Sequence, residues 1–260
     1  MELSYENYCI LKDKGLKRVE IANEFGIPEW KLKKHIANNK WGKQLPIIEF
    51  EDVFSDFDEY SCYWAGFLAA DGNVDSKNRI RLMLKYDDIS HLEKFKEYLG
   101  STHIISSNTD TYNRCSFEFT NKKVRSDLEE NFFIIPNKTD KLEFPSHISA
   151  ENIKHYIRGY FDGDGSVCES FSNKNSTTAT LYATFASGCK GYSITLMDYL
   201  RTNLDLKGNI QDYGTKWQLK FNTNDAKVLL TWMYKNSNVF LTRKYNKYVD
   251  IVVNDNRTVR

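Results

Sequence analysis

The sequence predicts an α+β fold built from two pseudo-symmetric halves, each with the element order αββαββα, plus a small N-terminal helical domain. Two segments, residues 63–72 and 156–165, nearly repeat each other, and their Asp-Gly ends place Asp71 and Asp164 93 residues apart (164 − 71). Alternating apolar and polar residues, typical of half-buried strands, follow each repeat. The order of elements after the first repeat recurs after the second, which indicates an internal duplication.

The composition is that of an ordinary folded protein. The chain has 260 residues, of which 41% are hydrophobic and 27% are charged, with a net charge of +1. This net charge does not by itself indicate a nucleic-acid partner, because binding depends on where the charges lie. The five cysteines form no CxxC pair, so we expect reduced thiols in an intracellular protein. No stretch has the length of a membrane span, and we expect no membrane partner.

Residues 1–43 are predicted to form a separate helical module. Ser4 is a candidate N-cap for a first helix that stops at Gly15, a second helix covers residues 17–24, and a third begins near Pro28. Ala22 followed by Gly26 is typical of a helix-turn-helix, because the small residue allows close helix packing and glycine permits positive φ in the turn.

The third helix is predicted to be basic. Residues 1–43 hold nine Lys/Arg against six Asp/Glu, and Lys31, Lys33 and Lys34 lie on this helix. We therefore expect a DNA-binding helix-turn-helix module. The alternative is a plain three-helix bundle with a solvated basic face. Residues 44–59 follow, with six acids and no base, and are expected to be a solvated acidic linker.

The first half is predicted to span residues 60–145. Ile80, Leu82 and Leu84 alternate with Arg79, Arg81, Met83 and Lys85, so one strand face is buried and the other is unusually cationic. The elements predicted here are a strand at 78–85, a helix at 88–99, strands at 102–107 and 114–120, and a helix at 122–132.

The second half, residues 146–260, is predicted to repeat this order. A polar loop at 172–178 precedes the first long strand, and a basic tail containing Arg243, Lys244 and Lys247 ends the copy. The elements predicted here are a strand at 180–187, a helix at 192–204, strands at 208–213 and 216–222, and a helix at 225–235.

The Asp-Gly ends of the two repeats predict a metal site. Small residues in both repeats allow the two helices to pack closely, which brings Asp71 and Asp164 together at the helix C-termini. Two carboxylates there repel each other and oppose the helix dipole, and a bound divalent cation removes both conflicts. The carbonyl oxygens of Ala70 and Gly163 are candidate additional ligands, while Gly72 and Gly165 suit a positive φ after the helix. The alternative is that Asp-Gly merely ends each helix.

Residues 64–72, WAGFLAADG, and 157–165, IRGYFDGDG, resemble the paired motifs of the LAGLIDADG homing endonucleases in their single-chain form. The resemblance covers roughly residues 60–250. It implies that Asp71 and Asp164 hold two or three divalent ions, Mg²⁺ by expectation. The first motif departs from the family at Ala69, where the family has an earlier aspartate that packs or caps and does not ligate metal.

The resemblance also implies a basic residue beside each scissile phosphate. Lys138 and Lys244 occupy matching places in the two halves and are candidates for transition-state stabilisation, with Lys85 as a further candidate. The implied saddle of antiparallel sheets would lie on DNA. The outward positions expected to contact DNA are Arg79, Arg81, Lys85, Ser116, Glu118, Thr180, Tyr182, Thr184, Lys216, Gln218, Lys220 and Asn222.

The resemblance therefore predicts a monomeric, site-specific double-strand DNA endonuclease with a long asymmetric target. We expect a free-standing or intron-encoded enzyme, since the chain begins with Met and carries no protein-splicing junction residues. Two alternatives stay open. A group I intron RNA maturase or a non-cleaving DNA-binding regulator would use the same fold without needing both aspartates.

Overall fold

The computed structural model describes residues 2–39, 41, 46–109, 112–171 and 179–254, and the chain divides into two compact units at Pro46 and Ile47. The first unit holds three helices around a small apolar core that includes Ala22 and Leu32. Gly15 and Gly26 both take positive φ, as the turns between these helices require. The helices are α1 (Tyr5–Asp13), α2 (Arg18–Glu24) and α3 (Glu29–Asn38).

The second unit contains the duplicated halves. Each half has a long motif helix, two strands, a helix, two strands and a further helix. In the first half these are α4 (Glu59–Asp71), β1 (Gly72–Val74), β2 (Arg79–Lys85), α5 (Ile89–Tyr98), β3 (Ser106–Asn108), β4 (Arg114–Thr120) and α6 (Lys122–Phe132). In the second half they are α7 (Ala150–Asp164), β5 (Gly165–Phe171), β6 (Ala179–Ser187), α8 (Lys190–Leu204), β7 (Asn209–Asp212), β8 (Trp217–Asn222) and α9 (Thr223–Tyr234), with α10 (Thr242–Tyr248) after it.

The strands form two antiparallel sheets of the same topology, which confirms the predicted fold. Their orders are β1-β2-β4-β3 and β5-β6-β8-β7. Residues 102–105 lie outside β3, so this strand is shorter than expected. The predicted loop at 172–178 lies outside the described residues.

The predicted strand parity is also confirmed. Ile80, Leu82 and Leu84 of β2 are buried, and their neighbours in sequence lie on the opposite face. The same alternation holds in β4, where Cys115, Phe117 and Phe119 are buried. Each sheet therefore buries one face and leaves the other for a partner or solvent.

Glycines allow the two motif helices to pack directly against each other. A Cβ on Gly66 of α4 would overlap the carbonyl oxygen of Tyr156, and a Cβ on Gly159 of α7 would overlap the carbonyl oxygen of Tyr63. These two contacts are related by the internal duplication. Only glycine permits the helix backbones to come this close, so the sequence repeat directly sets the axis between the halves.

The acidic segment that we expected to be a solvated linker instead packs on the first half. Phe54 is fully buried, and its carbonyl accepts a hydrogen bond from the Asn131 side chain at 2.8 Å. The Ile47 amide donates to Thr102, and Asp58 caps the start of α4 through the Ser61 amide. Apolar residues among the acids explain the difference, since they anchor the segment while the carboxylates remain near solvent.

The predicted basic tail is also ordered. Residues 242–248 form α10, and Lys244 within it is 3% exposed. Tyr245 stacks on Phe240 with a ring separation of 3.9 Å, and Tyr248 stacks on Tyr234. Interleaved aromatic residues thus supply the packing that a tail would lack.

All five cysteines are free thiols. Among the described residues, no helix combines the length and apolar character needed to cross a membrane.

Candidate active site between the motif helices

The two motif helices end in Asp71 and Asp164, and their close packing brings these ends together. A Cβ on Gly163 would lie 3.4 Å from the Oδ2 atom of Asp71 and would overlap the Cβ of Ala70. Gly163 is therefore small because the first motif occupies the space beside it. The sequence thus places one carboxylate per half at a single location, as the duplication predicts.

The glycines after the aspartates act differently from our expectation. Gly72 and Gly165 have φ of −77° and −87° and are extended, so the predicted positive φ is wrong. A Cβ on Gly72 would clash with the Leu68 backbone, and one on Gly165 would overlap the Phe161 ring. Their role is to let the first strand of each sheet leave the helix end without a side chain in the way.

The carboxylates at this location have raised pKa values. The surrounding protein and the charge of Asp164 raise the pKa of Asp71 to about 6. Desolvation likewise raises the pKa of Asp164. Lys138 and Lys244 oppose both increases, so the four residues form one electrostatic unit. Without a further cation, the two carboxylates are poorly compensated.

Lys138 belongs to the first half but lies between the halves. Its ammonium donates to the Ala70 carbonyl at 3.2 Å, and the neighbouring Thr139 packs against Gly188 of the second half. Burial lowers the pKa of Lys138, whereas the charges of Asp164 and Asp71 raise it. Lys138 makes no other side-chain hydrogen bond within the described ranges, so two ammonium protons remain for another acceptor.

Lys244 is held much more tightly. Its ammonium donates to backbone oxygens at the end of α7, at 2.6 Å to Phe161, 2.8 Å to Asp162, 2.6 Å to Gly165 and 3.3 Å to Gly163. Burial lowers the pKa of Lys244 to about 8. The carbonyls of Ala70 and Gly163, which we predicted as metal ligands, therefore each accept a hydrogen bond from a lysine. Each oxygen keeps a second lone pair.

The earlier aspartate of the second motif, Asp162, is buried and hydrogen-bonded in the protein interior. Asp162 is fully buried and accepts hydrogen bonds from the Tyr63 hydroxyl and the Leu241 amide, both at 2.7 Å, and from the Tyr234 hydroxyl. Its counterpart Ala69 is 3% exposed in apolar packing. This position therefore joins the two halves in the interior, away from the exposed Asp71 and Asp164.

Lys85 is exposed at the end of β2, and in the described part of the chain no hydrogen bond or ion pair joins it to either aspartate. It stays a prediction from strand parity. Thr184 lies on the outward face of β6 but is 7% exposed, because Lys220 and Ser166 flank it. The other predicted outward residues are accessible: Arg79, Arg81, Ser116, Glu118, Thr180, Tyr182, Lys216, Gln218, Lys220 and Asn222.

The sequence reasoning missed two arginines. Arg114 lies on the outward face of β4 and sits over the Tyr112 ring at 5.8 Å, and the parity of β4 was sufficient to find it. Arg243 of the second half forms an ion pair with Asp88 of the first half at 2.9 Å. Its positive charge also lowers the pKa of Asp71 and so opposes the increase described above. No sequence pattern connects these two residues, since they are distant in the chain.

The first unit presents its predicted basic residues to solvent. Lys31, Lys33 and Lys34 are all exposed on α3. On the same helix Trp30 is 65% exposed, whereas Leu32 is fully buried. An exposed tryptophan beside three lysines is a suitable surface for a polyanion.

The chain matches no protein-family model and no curated protein sequence. Solved structures do resemble it. A form of I-SmaMI with two lysine-to-alanine substitutions has 14% identity and a TM-score of 0.54, covering 76% of this chain and 91% of that one. The LAGLIDADG homing endonuclease I-GzeII, in complex with its DNA target, has 11% identity and a TM-score of 0.54, covering 79% and 94%.

The LAGLIDADG meganuclease I-AabMI, bound to uncleaved DNA, is similar at 12% identity and a TM-score of 0.54, covering 74% of this chain and 89% of that one. At these identities the likeness shows the fold. The chain therefore has the fold of single-chain LAGLIDADG homing endonucleases over about three quarters of its length.

Proposed function

We propose that this chain is a site-specific endonuclease that hydrolyses both strands of a long, asymmetric DNA target. The observation that carries the proposal is the meeting of Asp71 and Asp164 at the ends of two helices whose glycines permit direct contact. Two acids at this point raise the free energy of the folded protein, and among the described residues no hydrogen bond or ion pair of either carboxylate offsets that cost. A cation-dependent reaction is the function that requires them.

The donor set fits a hard divalent cation such as Mg²⁺. Carboxylate oxygens from Asp71 and Asp164 would hold it, with the second lone pairs of the Ala70 and Gly163 carbonyls beside them. In the described part of the chain no group of three His, Cys, Asp or Glu side chains is placed to hold a metal, which argues against a zinc-type site. When bound, the cation would supply Lewis acidity and a lowered pKa for water.

The lysines have separate roles in this proposal. Lys138, with one long hydrogen bond, is placed to stabilise negative charge that develops on a phosphate. Lys244 is engaged by four backbone oxygens and fixes the end of α7, which positions Asp164. Lys85 is a candidate for ordering solvent near the first sheet.

The two outward sheet faces are proposed to lie on the duplex. They carry arginine, lysine, glutamine and threonine, the residue types that contact base edges and phosphates. Both halves lie in one chain, so a monomer suffices for two cuts. We further propose that residues 1–43 form a helix-turn-helix module whose α3 adds DNA contacts through Lys31, Lys33 and Lys34.

The test starts from a pool of duplexes with a randomised central region. Wild-type protein in EDTA selects bound DNA, Mg²⁺ is then added, and all new ends are sequenced. We expect cuts in both strands at one fixed offset within the selected site. Asp71→Asn and Asp164→Asn should bind the same DNA without cutting it, while Asp198→Asn, at an exposed position on α8, should cut normally.

Specific binding without cuts in either Mg²⁺ or Mn²⁺ would contradict the nuclease and favour a regulator. Preference for structured RNA over every duplex would favour a maturase. Cutting that survives both Asp→Asn substitutions would show that another site does the chemistry.

A further inference from the structure

The outward face of the first sheet contains one acid among its cations. Glu118 of β4 lies directly opposite Arg81 of β2, and their Oε2 and Nε atoms are 3.7 Å apart. Glu118 is also 3.7 Å from Arg79. Its side chain is 42% exposed, so burial does not explain the acid. A carboxylate would be repelled by DNA phosphates, so on a face that contacts DNA it is suited to a hydrogen-bond donor on a base edge.

The two arginines beside Glu118 differ in availability. Arg79 donates from Nε to Asp75 at 3.0 Å, an interaction that holds it at the β1–β2 turn. The Nε atom of Arg81 is buried, yet within the described ranges it has no hydrogen-bond partner. Arg81 also lines a cavity of about 280 Å³ on the outward face, together with Met83 and Ser116. The Arg81 side chain as a whole is 41% exposed, so the other nitrogens of its guanidinium are accessible to a ligand.

We propose that Arg81 and Glu118 act as one unit that reads a single G·C base pair in the major groove. The inference rests on the proposed DNA function. Guanine presents two acceptors, N7 and O6, and its paired cytosine presents the N4 donor. Arginine supplies two donors for guanine, and the neighbouring carboxylate supplies the acceptor for cytosine. An A·T pair presents acceptor, donor, acceptor, so it lacks the order that the pair of side chains matches, which is two adjacent acceptors for arginine followed by a donor for the carboxylate.

The second sheet has no such pair at the equivalent position. Gly72 and Gly165 pair with Leu82 and Phe185, so the duplication makes Thr184 the counterpart of Arg81. Thr184 lies opposite Lys220, the counterpart of Glu118.

The counterparts cannot read a G·C pair in the same way. Thr184 is almost covered, and the Lys220 ammonium lies 3.8 Å from the centre of the Tyr182 ring. Recognition of a G·C pair by this unit is thus confined to the half-site under the first sheet, which makes the target asymmetric.

The test is a binding selection in EDTA, so that it does not depend on cutting. Wild type should enrich one G·C pair, in one orientation, by about 5- to 150-fold over the other pairs at that position. Arg81→Gln and Glu118→Gln should each lower that enrichment and leave other positions unchanged. Because glutamine matches adenine N6 and N7, the double variant R81Q/E118Q should select an A·T pair there.

Lys85→Gln is the matched control, since it removes an exposed cation from the same strand and should weaken binding to all sequences about equally. A selected site whose base preferences are unchanged in R81Q and E118Q would overturn the inference while leaving the proposed function intact. Selection of no sequence at all would overturn both. Selection with the predicted shift but no cutting in Mg²⁺ would support the inference and contradict the nuclease.

Discussion

Replacing Asp71 by asparagine should stabilise the protein in EDTA, although we expect the same change to abolish the proposed cleavage of DNA. The pKa of Asp71 rises from its ordinary value of 3.8 to about 6, through partial desolvation by the surrounding protein and through the charge of Asp164. At about 1.4 kcal/mol for each pH unit, the ionised carboxylate costs at most about 3 kcal/mol of folding free energy. Asp71 keeps access to solvent, and screening reduces this figure, so we expect a gain of about 1 kcal/mol at pH 7.5.

The gain should depend on pH in a defined direction. Between pH 3.8 and about 6 the folded protein holds more protons at Asp71 than the unfolded chain does. The free energy of unfolding of wild type therefore falls as pH rises through this window, and it is level above it. The advantage of Asp71→Asn should thus be full at pH 7.5 and small at pH 4.5.

Urea denaturation followed by circular dichroism at both pH values measures this effect, with Asp162→Asn as the matched control. Asp162 accepts hydrogen bonds from Tyr63, Tyr234 and Leu241, and an amide there would set donor against donor. We expect this control to lose about 1 to 3 kcal/mol. A loss of stability in Asp71→Asn at pH 7.5, or a gain that does not change with pH, would refute the electrostatic reasoning.

Two further predictions concern the helix pair and the first unit. Gly66→Ala should destabilise the protein by about 3 kcal/mol or more in the same denaturation assay, because the new methyl group overlaps the backbone of the facing helix. Gly191→Ala is the control and should be close to neutral, since a Cβ there meets no atom within 4 Å. The triple variant with Lys31, Lys33 and Lys34 changed to glutamine should reduce the slope of log binding constant against log salt by about 3. An unchanged slope would show that α3 does not contact phosphates.

Much of the fold was predictable because its strongest signals are local. The alternation of apolar and polar residues in β2 and β4 predicts which face of the sheet is buried. The repeated motifs indicate the duplication and predict where Asp71 and Asp164 lie. The small residues of both motifs, Gly66 and Gly159 among them, indicate close helix packing, although the atoms that they contact belong to the other half.

The remaining features depend on contacts between distant segments. Lys244 resembles a tail lysine in the sequence, and only the arrival of α10 at the end of α7 shows that it is buried on four backbone oxygens. The six acids of the segment before α4 predict a solvated linker, but Phe54 is buried against the first half and anchors the segment there. Thr184 lies on the outward face, as the alternation in β6 predicts. Its low exposure to solvent results from residues on the two neighbouring strands, which the pattern of one strand does not reveal.

The most direct test of the paired-aspartate site is a titration of the protein with Mn²⁺, with free ion measured by electron paramagnetic resonance. We predict saturable binding by wild type and by Asp198→Asn, and loss of that binding in Asp71→Asn and in Asp164→Asn, with both variants folded by circular dichroism. Equal Mn²⁺ binding by all four proteins would contradict a cation site formed by Asp71 and Asp164.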